Sequence, residues 1–334
     1  MIGWEDVYKV VEAMVPLYFA LMLGYGSVKW WKIIAPEECA AVNRFVCYFT
    51  LPLFTIEFTT QVDPFNLNYR LIGADAISKL IIVFVLAFWA MCSKNESCYS
   101  WCITNFSLCT LTNSLVVGVP LLKPMYGQMA VDLVVQSSVL QSILWLTIFL
   151  FVLEYRRSAR IDLEEGHGRP SFWHLMKIVW LKMAKNPNSY ACILGLAWAF
   201  VAHRWHLKMP GIIEGSILIM SRAGTGTAMF SMGIFMALQE KLIACGPKLT
   251  VFGMVLKFIA GPAAMAIGSI AAGLRGDVLR VSIIQAALPE AITSFIFAKE
   301  YGLHADVLST AVIFGTIVSL PLLIAYYAIL DIVH

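Results

Sequence analysis

The segment from Thr110 to Pro120 places two threonines, an asparagine, a serine, a glycine and a proline inside a long apolar run. An oil-facing helix has no use for Thr112, Asn113 or Pro120, and polar groups at membrane depth must find partners or bind something. A second apolar run is interrupted by Pro289 and Glu290, and a third carries Asp75 and Lys79 four residues apart, hence on one helix face. Gln141 lies in a fourth run and is a neighbour expected for that pair. Two readings of Asp75 and Lys79 stand: a static ion pair, or a release-path or proton-sensitive site, with Glu290 the other candidate for protonation. Intramembrane proteolysis or hydrolysis would need paired aspartates, HExxH or Gly-x-Ser-x-Gly, and none occurs; His203 and His206 are wrongly spaced. The eight cysteines form no CxxC and no His–Cys ligand spacing, and read as small buried hydrophobes. No enzyme, cofactor or metal is therefore expected.

The elements that must position these groups are membrane spans. The chain has 334 residues, 60% of them hydrophobic and 13% charged, with a mean hydropathy of +0.77. A soluble domain carries about 25% charged residues. The apolar runs are continuous, which excludes an outer-membrane barrel, and most approach the ~20 residues of a spanning helix. A net charge of +3 spread over loops suggests no nucleic-acid partner. Ten spans are read at 8–28, 40–59, 71–92, 99–122, 133–153, 187–203, 211–238, 249–273, 278–298 and 305–330. The acidic start (Glu5, Asp6, Glu12) lacks a basic n-region, so the first span is expected to act as its own signal. The polar segment 154–185 holds Arg156, Arg157, Arg160, Arg169, Lys177, Lys182 and Lys185, which makes it cytoplasmic and both termini lumenal or exterior. The sequon Asn95–Ser97 is then cytoplasmic and unglycosylated.

The two halves match at separations of 174 to 178 residues: Trp30 with Trp205, Pro36 with Pro210, Lys79 with Lys257, Asn113 with Glu290, and Tyr126-Gly with Tyr301-Gly. With five spans in each half, the second must enter the membrane inverted. Inverted repeats are a transporter architecture with sites near the midplane, where helices break at corresponding positions. The expected fold is all-α and polytopic: a first repeat at 1–153, a short cytoplasmic loop at 154–185, and an inverted repeat at 186–334. Crossover helices four and nine are expected to break at Thr112, Pro120 and Pro289. The plainer alternative is a pair of ordinary proline kinks.

Several stretches resemble one family over nearly the whole chain. They are Val15-Pro-Leu-Tyr18, Tyr25-Gly-Ser-Val-Lys-Trp-Trp31, Asn43-Arg-Phe45, Asn113-Ser-Leu-Val-Val-Gly-Val-Pro-Leu-Leu122, Asn186-Pro-Asn-Ser-Tyr190, Ile283-Ile-Gln-Ala-Ala-Leu-Pro289, Phe297-Ala-Lys-Glu-Tyr301 and Leu308-Ser-Thr-Ala-Val-Ile-Phe-Gly315. The chain resembles the PIN-FORMED auxin carriers of plants, and its short central segment resembles the endoplasmic-reticulum subgroup; the plasma membrane is the alternative location. The resemblance implies a scaffold of spans 1, 2, 6 and 7 and a moving domain of spans 3–5 and 8–10. It also implies a homodimer and elevator-like passage of indole-3-acetate, without sodium. It implicates Asn113 and Asn188 in holding the carboxylate and Leu51 in packing near the ring. Three positions depart from the long-loop pattern: Thr112 stands for a proline, Glu290-Ala291 for Gln-Gly, and Arg222 for an aspartate.

Indole-3-acetate is a flat aromatic with one carboxylate. An asparagine amide donates hydrogen bonds without full charge, and two amides plus the positive end of a half-helix make an anion site of moderate strength. Either asparagine alone could instead be a helix–helix hydrogen bond. Leu51, Val116 and Val117 would form the apolar floor, or simply pack the core. No filter motif points to a channel. A sodium- or proton-coupled symporter of another small organic acid is the runner-up.

Overall fold

The computed structural model describes residues 4–93, 98–165 and 172–333; Arg169 and the Asn95–Ser97 sequon lie outside them. In chain order the helices are α1 (Trp4–Lys29), α2 (Pro36–Phe45), α3 (Leu51–Thr60), α4 (Tyr69–Cys92), α5 (Cys98–Thr110), α6 (Val119–Leu140), α7 (Leu146–Glu165), α8 (Phe172–Lys185), α9 (Pro187–Trp205), α10 (Gly211–Leu238), α11 (Pro247–Val255), α12 (Gly261–Ala271), α13 (Gly276–Ala286), α14 (Ile292–Glu300) and α15 (Ala305–Val333). Four widened π-turns fuse neighbours into longer rods: Val46–Thr50 joins α2 to α3, Ser114–Gly118 leads into α6, Gln141–Trp145 joins α6 to α7, and Leu256–Ala260 joins α11 to α12. The apolar runs of the sequence are mainly helical, with breaks at 111–113 and 287–291. Among the described residues six helical rods are long and apolar enough to cross a membrane.

Helix starts follow local chemistry. The Asn68 side chain accepts from Leu71 N at 3.1 Å to cap α4, and Asn186 accepts from Asn188 N at 3.0 Å ahead of Pro187 in α9. Such caps satisfy amide groups that the helix leaves open. Gly127 (φ 70°, ψ −157°) breaks α6 internally, between the fourth and the fifth apolar runs. A side chain would resist that backbone conformation.

The segment 154–185 is largely helical where the sequence suggested a loop: α7 continues to Glu165 and α8 fills Phe172–Lys185. Leu175, Val179 and Met183 recur at four-residue spacing on the buried face of α8, while Trp173 and Trp180 are exposed. That period was outweighed in the sequence by the run of basic residues.

Helices α1 and α10 run together, as do α3 with α9 and α10. A Cβ at Gly24 would strike the Phe230 carbonyl, and one at Gly233 the Leu21 carbonyl, so both glycines allow backbone-to-backbone packing. A second set packs α4 along α12, α5 against Leu256–Ala260, α6 along α13, and α11 and α14 along α15. The sets meet where α6 touches α1 and where α9 touches the Gln141–Trp145 turn.

Candidate functional site

Two helices are broken, and the breaks touch. Leu111–Asn113 separates α5 from the turn that leads into α6, and 287–291 separates α13 from α14. Thr112 and Glu290 form an isolated antiparallel bridge, with Asn113 N donating to Pro289 O at 2.9 Å. Pro289 sits in its break. Pro120 does not: it is at the start of α6, beyond the π-turn, where its missing N–H costs nothing at the crossover.

Thr112 occupies the first break without a proline, so side chains hold it open. Gln141 Nε2 donates to Thr112 O at 2.8 Å, and Gln141 Oε1 accepts from Thr112 N at 3.0 Å and Thr112 Oγ1 at 3.2 Å. Gln285 Nε2 donates to Ser114 Oγ at 2.6 Å. Lys257 Nζ donates to Leu111 O at 2.7 Å and lies 3.4 Å from Glu290 Oε2, both side chains being fully buried. Ser107 Oγ donates to Glu290 Oε1 at 3.1 Å. The ammonium thus faces the carbonyl end of one half-helix and the carboxylate stands at the amide end of another, the signs that helix dipoles favour. Leu111 O, the Thr112 N–H and C=O, and the Asn113 N–H each have a partner, which lets this backbone sit at membrane depth.

Asp75 and Lys79 form an ion pair along α4, as their spacing suggested. Trp145 Nε1 donates to the other carboxylate oxygen at 2.6 Å, and Lys79 Nζ lies 4.6 Å from the Trp145 ring centre. Between this pair and the first break is a cavity of about 30 Å³ lined by Asp75, Lys79, Thr112, Gln141, Ser282 and Gln285, enough for one or two waters. Gln141 lines that cavity, but its bonds go to Thr112 and not to the ion pair.

Asn113 is half-buried, and among the described residues its amide has no hydrogen-bond partner. Asn188 belongs to a different neighbourhood, at the start of α9. Its Oδ1 accepts from Thr55 Oγ1 at 2.5 Å, which leaves Nδ2 as the free donor. Leu51 lies one turn before Thr55 on α3 and is partly buried against the main core. Val116 is 8% and Val117 1% exposed, and both are members of that core. No hydrogen bond joins Asn113 to Asn188 among the described residues.

Sequence reasoning passed over Lys257, Gln285, Ser107, Ser114 and Trp145 as site residues. One signal was available: Lys257 matches Lys79 in the internal repeat. Three of the four π-turns carry residues of this constellation (Ser114, Gln141 with Trp145, and Lys257), in keeping with the frequency of π-turns at functional sites.

At the α8 end, Lys182 bridges Glu154 at 2.8 Å and Glu300 at 2.6 Å and donates to Tyr301 Oη at 2.6 Å. Burial would lower the Lys182 pKa, but these partners outweigh it and hold it above the ordinary lysine value. His304 stacks on Trp101 at 3.7 Å and bonds Thr104 Oγ1 at 2.9 Å; burial, then nearby Arg156, push its pKa below the usual histidine value.

The family described as membrane transport protein matches residues 9–327. The chain is 70% identical to auxin efflux carrier component 5 of Arabidopsis thaliana over 352 aligned residues that cover all of both chains. It is 59% identical to probable auxin efflux carrier component 5a of Oryza sativa subsp. japonica, again over all of both. It is 38% identical to auxin efflux carrier component 8 of Arabidopsis thaliana, over 99% of this chain and all of that one.

Proposed function

The chain belongs to the auxin efflux carriers, a family of multi-pass membrane transport proteins rather than enzymes, and from that premise we propose that it carries the indole-3-acetate anion across the endoplasmic reticulum membrane. The observation that carries the reading is Asn113. A half-buried amide without a protein partner stands at the break, its backbone tied to Pro289 O and its side chain free to donate. The turn and helix that follow begin there, so their positive end faces the same place. Asn188, held by Thr55 with Nδ2 free, is the second donor. Leu51 and Val116 supply the apolar side, and Val117 packs behind them.

Movement follows the elevator scheme. Spans 1, 2, 6 and 7 form the scaffold and spans 3–5 and 8–10 the moving domain. The packing of α1 on α10, of α3 on α9 and α10, and of α4 on α12 supports that division. The proposed topology is two inverted five-helix repeats, with the basic segment 154–185 cytoplasmic and the termini lumenal, in a homodimer surrounded by lipid. Asp75, Lys79, Gln141 and Glu290 support the site. Aligned relatives as short as this chain support the endoplasmic-reticulum assignment.

A second reading, proton-coupled symport of another small organic acid, is favoured by one feature: Glu290 is fully buried, with Oε2 in no hydrogen bond. Flux in proteoliposomes separates the two. Radiolabelled indole-3-acetate should enter through a saturable path, exchange with unlabelled substrate, and need neither a sodium nor a proton gradient. Uptake that requires either gradient, or absence of counterflow, would overturn the reading.

A further inference from the structure

Lys257 does more than balance a charge. Its ammonium ion is fully buried between Leu111 O, at the carbonyl end of α5, and Glu290, at the amide end of α14, whose other oxygen is bonded by Ser107 Oγ. A half-helix carbonyl and a carboxylate meeting at an unwound crossover, with the carboxylate's other oxygen held by a hydroxyl, are the kind of ligands with which transporters hold a coupling cation. They are hard oxygen donors with a net charge of minus one, which a monovalent ion neutralises and a divalent ion overcharges. We infer that this crossover is a monovalent-cation site whose cation is the protein's own Lys257 ammonium, so that removing the side chain opens the site to a free alkali-metal ion.

The second lysine of the repeat shows the contrast. Lys79 pairs with Asp75 on its own helix and faces the Trp145 ring; among the described residues it bonds no half-helix carbonyl. The C-terminal end of α13 closes on itself, with Ala287 N donating to Ile283 O at 3.1 Å. One break therefore carries a built-in cation and the other does not. A tethered cation stays with the crossover through the whole cycle, and the break has its positive charge whatever salt surrounds it. This gives a chemical reason for sodium-independent transport and rests on the transporter reading to that extent.

The test reads stability, so it is separate from flux. Full-length parent, Lys257→Ala, Lys257→Gln and the double variant Lys257→Ala with Glu290→Gln are melted in lipid nanodiscs at neutral pH. Sodium, potassium, lithium and choline chloride are compared at one ionic strength. The parent should melt alike in all four salts. Lys257→Ala and Lys257→Gln should melt lower in choline and be raised, saturably, by at least one alkali-metal ion. The double variant, without its carboxylate, should show no such rise. Indifference of a folded Lys257→Ala to every salt would mean that Glu290 takes a proton instead, and overturns the inference. So does an equal alkali-metal response in the parent, or failure of both single variants to fold in every salt. Gradient-dependent flux by the parent would overturn the proposed function and leave the melting result standing.

Discussion

Replacing Gln141 by leucine tests whether the first break is held open by a side chain. The change removes three hydrogen bonds, two of them to the Thr112 backbone. At ~0.6 kcal/mol each, the average for such bonds inside a membrane, the loss is about 2 kcal/mol. The Thr112 N–H and C=O are also left open, which moves the cost toward ~1.5 kcal/mol per bond and a total of about 4 kcal/mol. Thr112→Val removes the hydroxyl and with it the bond to Ser114 Oγ at 2.8 Å, but it leaves no backbone group open, so it should cost less. In a double-mutant cycle the two should couple by about one hydrogen bond, ~1 kcal/mol. Asn113 is the next residue, so Gln141→Leu should also weaken indole-3-acetate binding more than Thr112→Val does. The assay is unfolding in lipid–detergent micelles beside binding of radiolabelled substrate. The reasoning fails if Gln141→Leu melts with the parent. It fails too if its whole cost vanishes in the Thr112→Val background, because Gln141 would then act through the hydroxyl alone.

Asn113→Ala should leave melting unchanged, since no protein bond is lost, and weaken indole-3-acetate binding roughly tenfold to a hundredfold, the worth of a hydrogen bond to a charged group; equal binding would return Asn113 to a structural role. Asp75→Asn or Lys79→Met alone should destabilise by about 3–5 kcal/mol, and the double change should recover much of it. Normal melting together with normal flux in that double variant would confine the pair to structure. His304 prefers its neutral form in the fold, so its contribution is full above the unfolded value of ~6.5 and is lost as pH falls below it. A melting scan should therefore steepen on the acid side in the parent and flatten in His304→Gln; identical profiles would defeat this.

The sequence made the all-helical, membrane-crossing character legible because continuous apolar runs have few other meanings; six helical rods among the described residues are long and apolar enough to cross a membrane, and Pro289 marked one break directly. The Asp75–Lys79 pair was legible because both partners share a helix, and helical spacing is arithmetic. The Lys257–Glu290 pair was not, since its partners lie on different rods and only the crossing of two breaks brings them together. The break at Thr112 was signalled by polar composition, but its mechanism was hidden: nothing local to Thr112 says that Gln141 will clamp its backbone. Trp145 lies within an apolar run, and only the Gln141–Trp145 turn aims its N–H at Asp75. The π-turns themselves have no sequence signature of their own.

The bridge between Thr112 and Glu290 also sets an order of events during synthesis. When the ribosome has made the first half, Gln141 is available to hold the Thr112 backbone, but the Leu111 carbonyl must wait for Lys257, 146 residues later. Asn113 N–H waits for Pro289, roughly 10–35 s of translation at ordinary rates. Through that interval an unwound strand sits at membrane depth with open polar groups. The nascent first half must therefore keep that strand wet or sheltered in the insertion machinery, and it reaches its final shape only after the second half arrives.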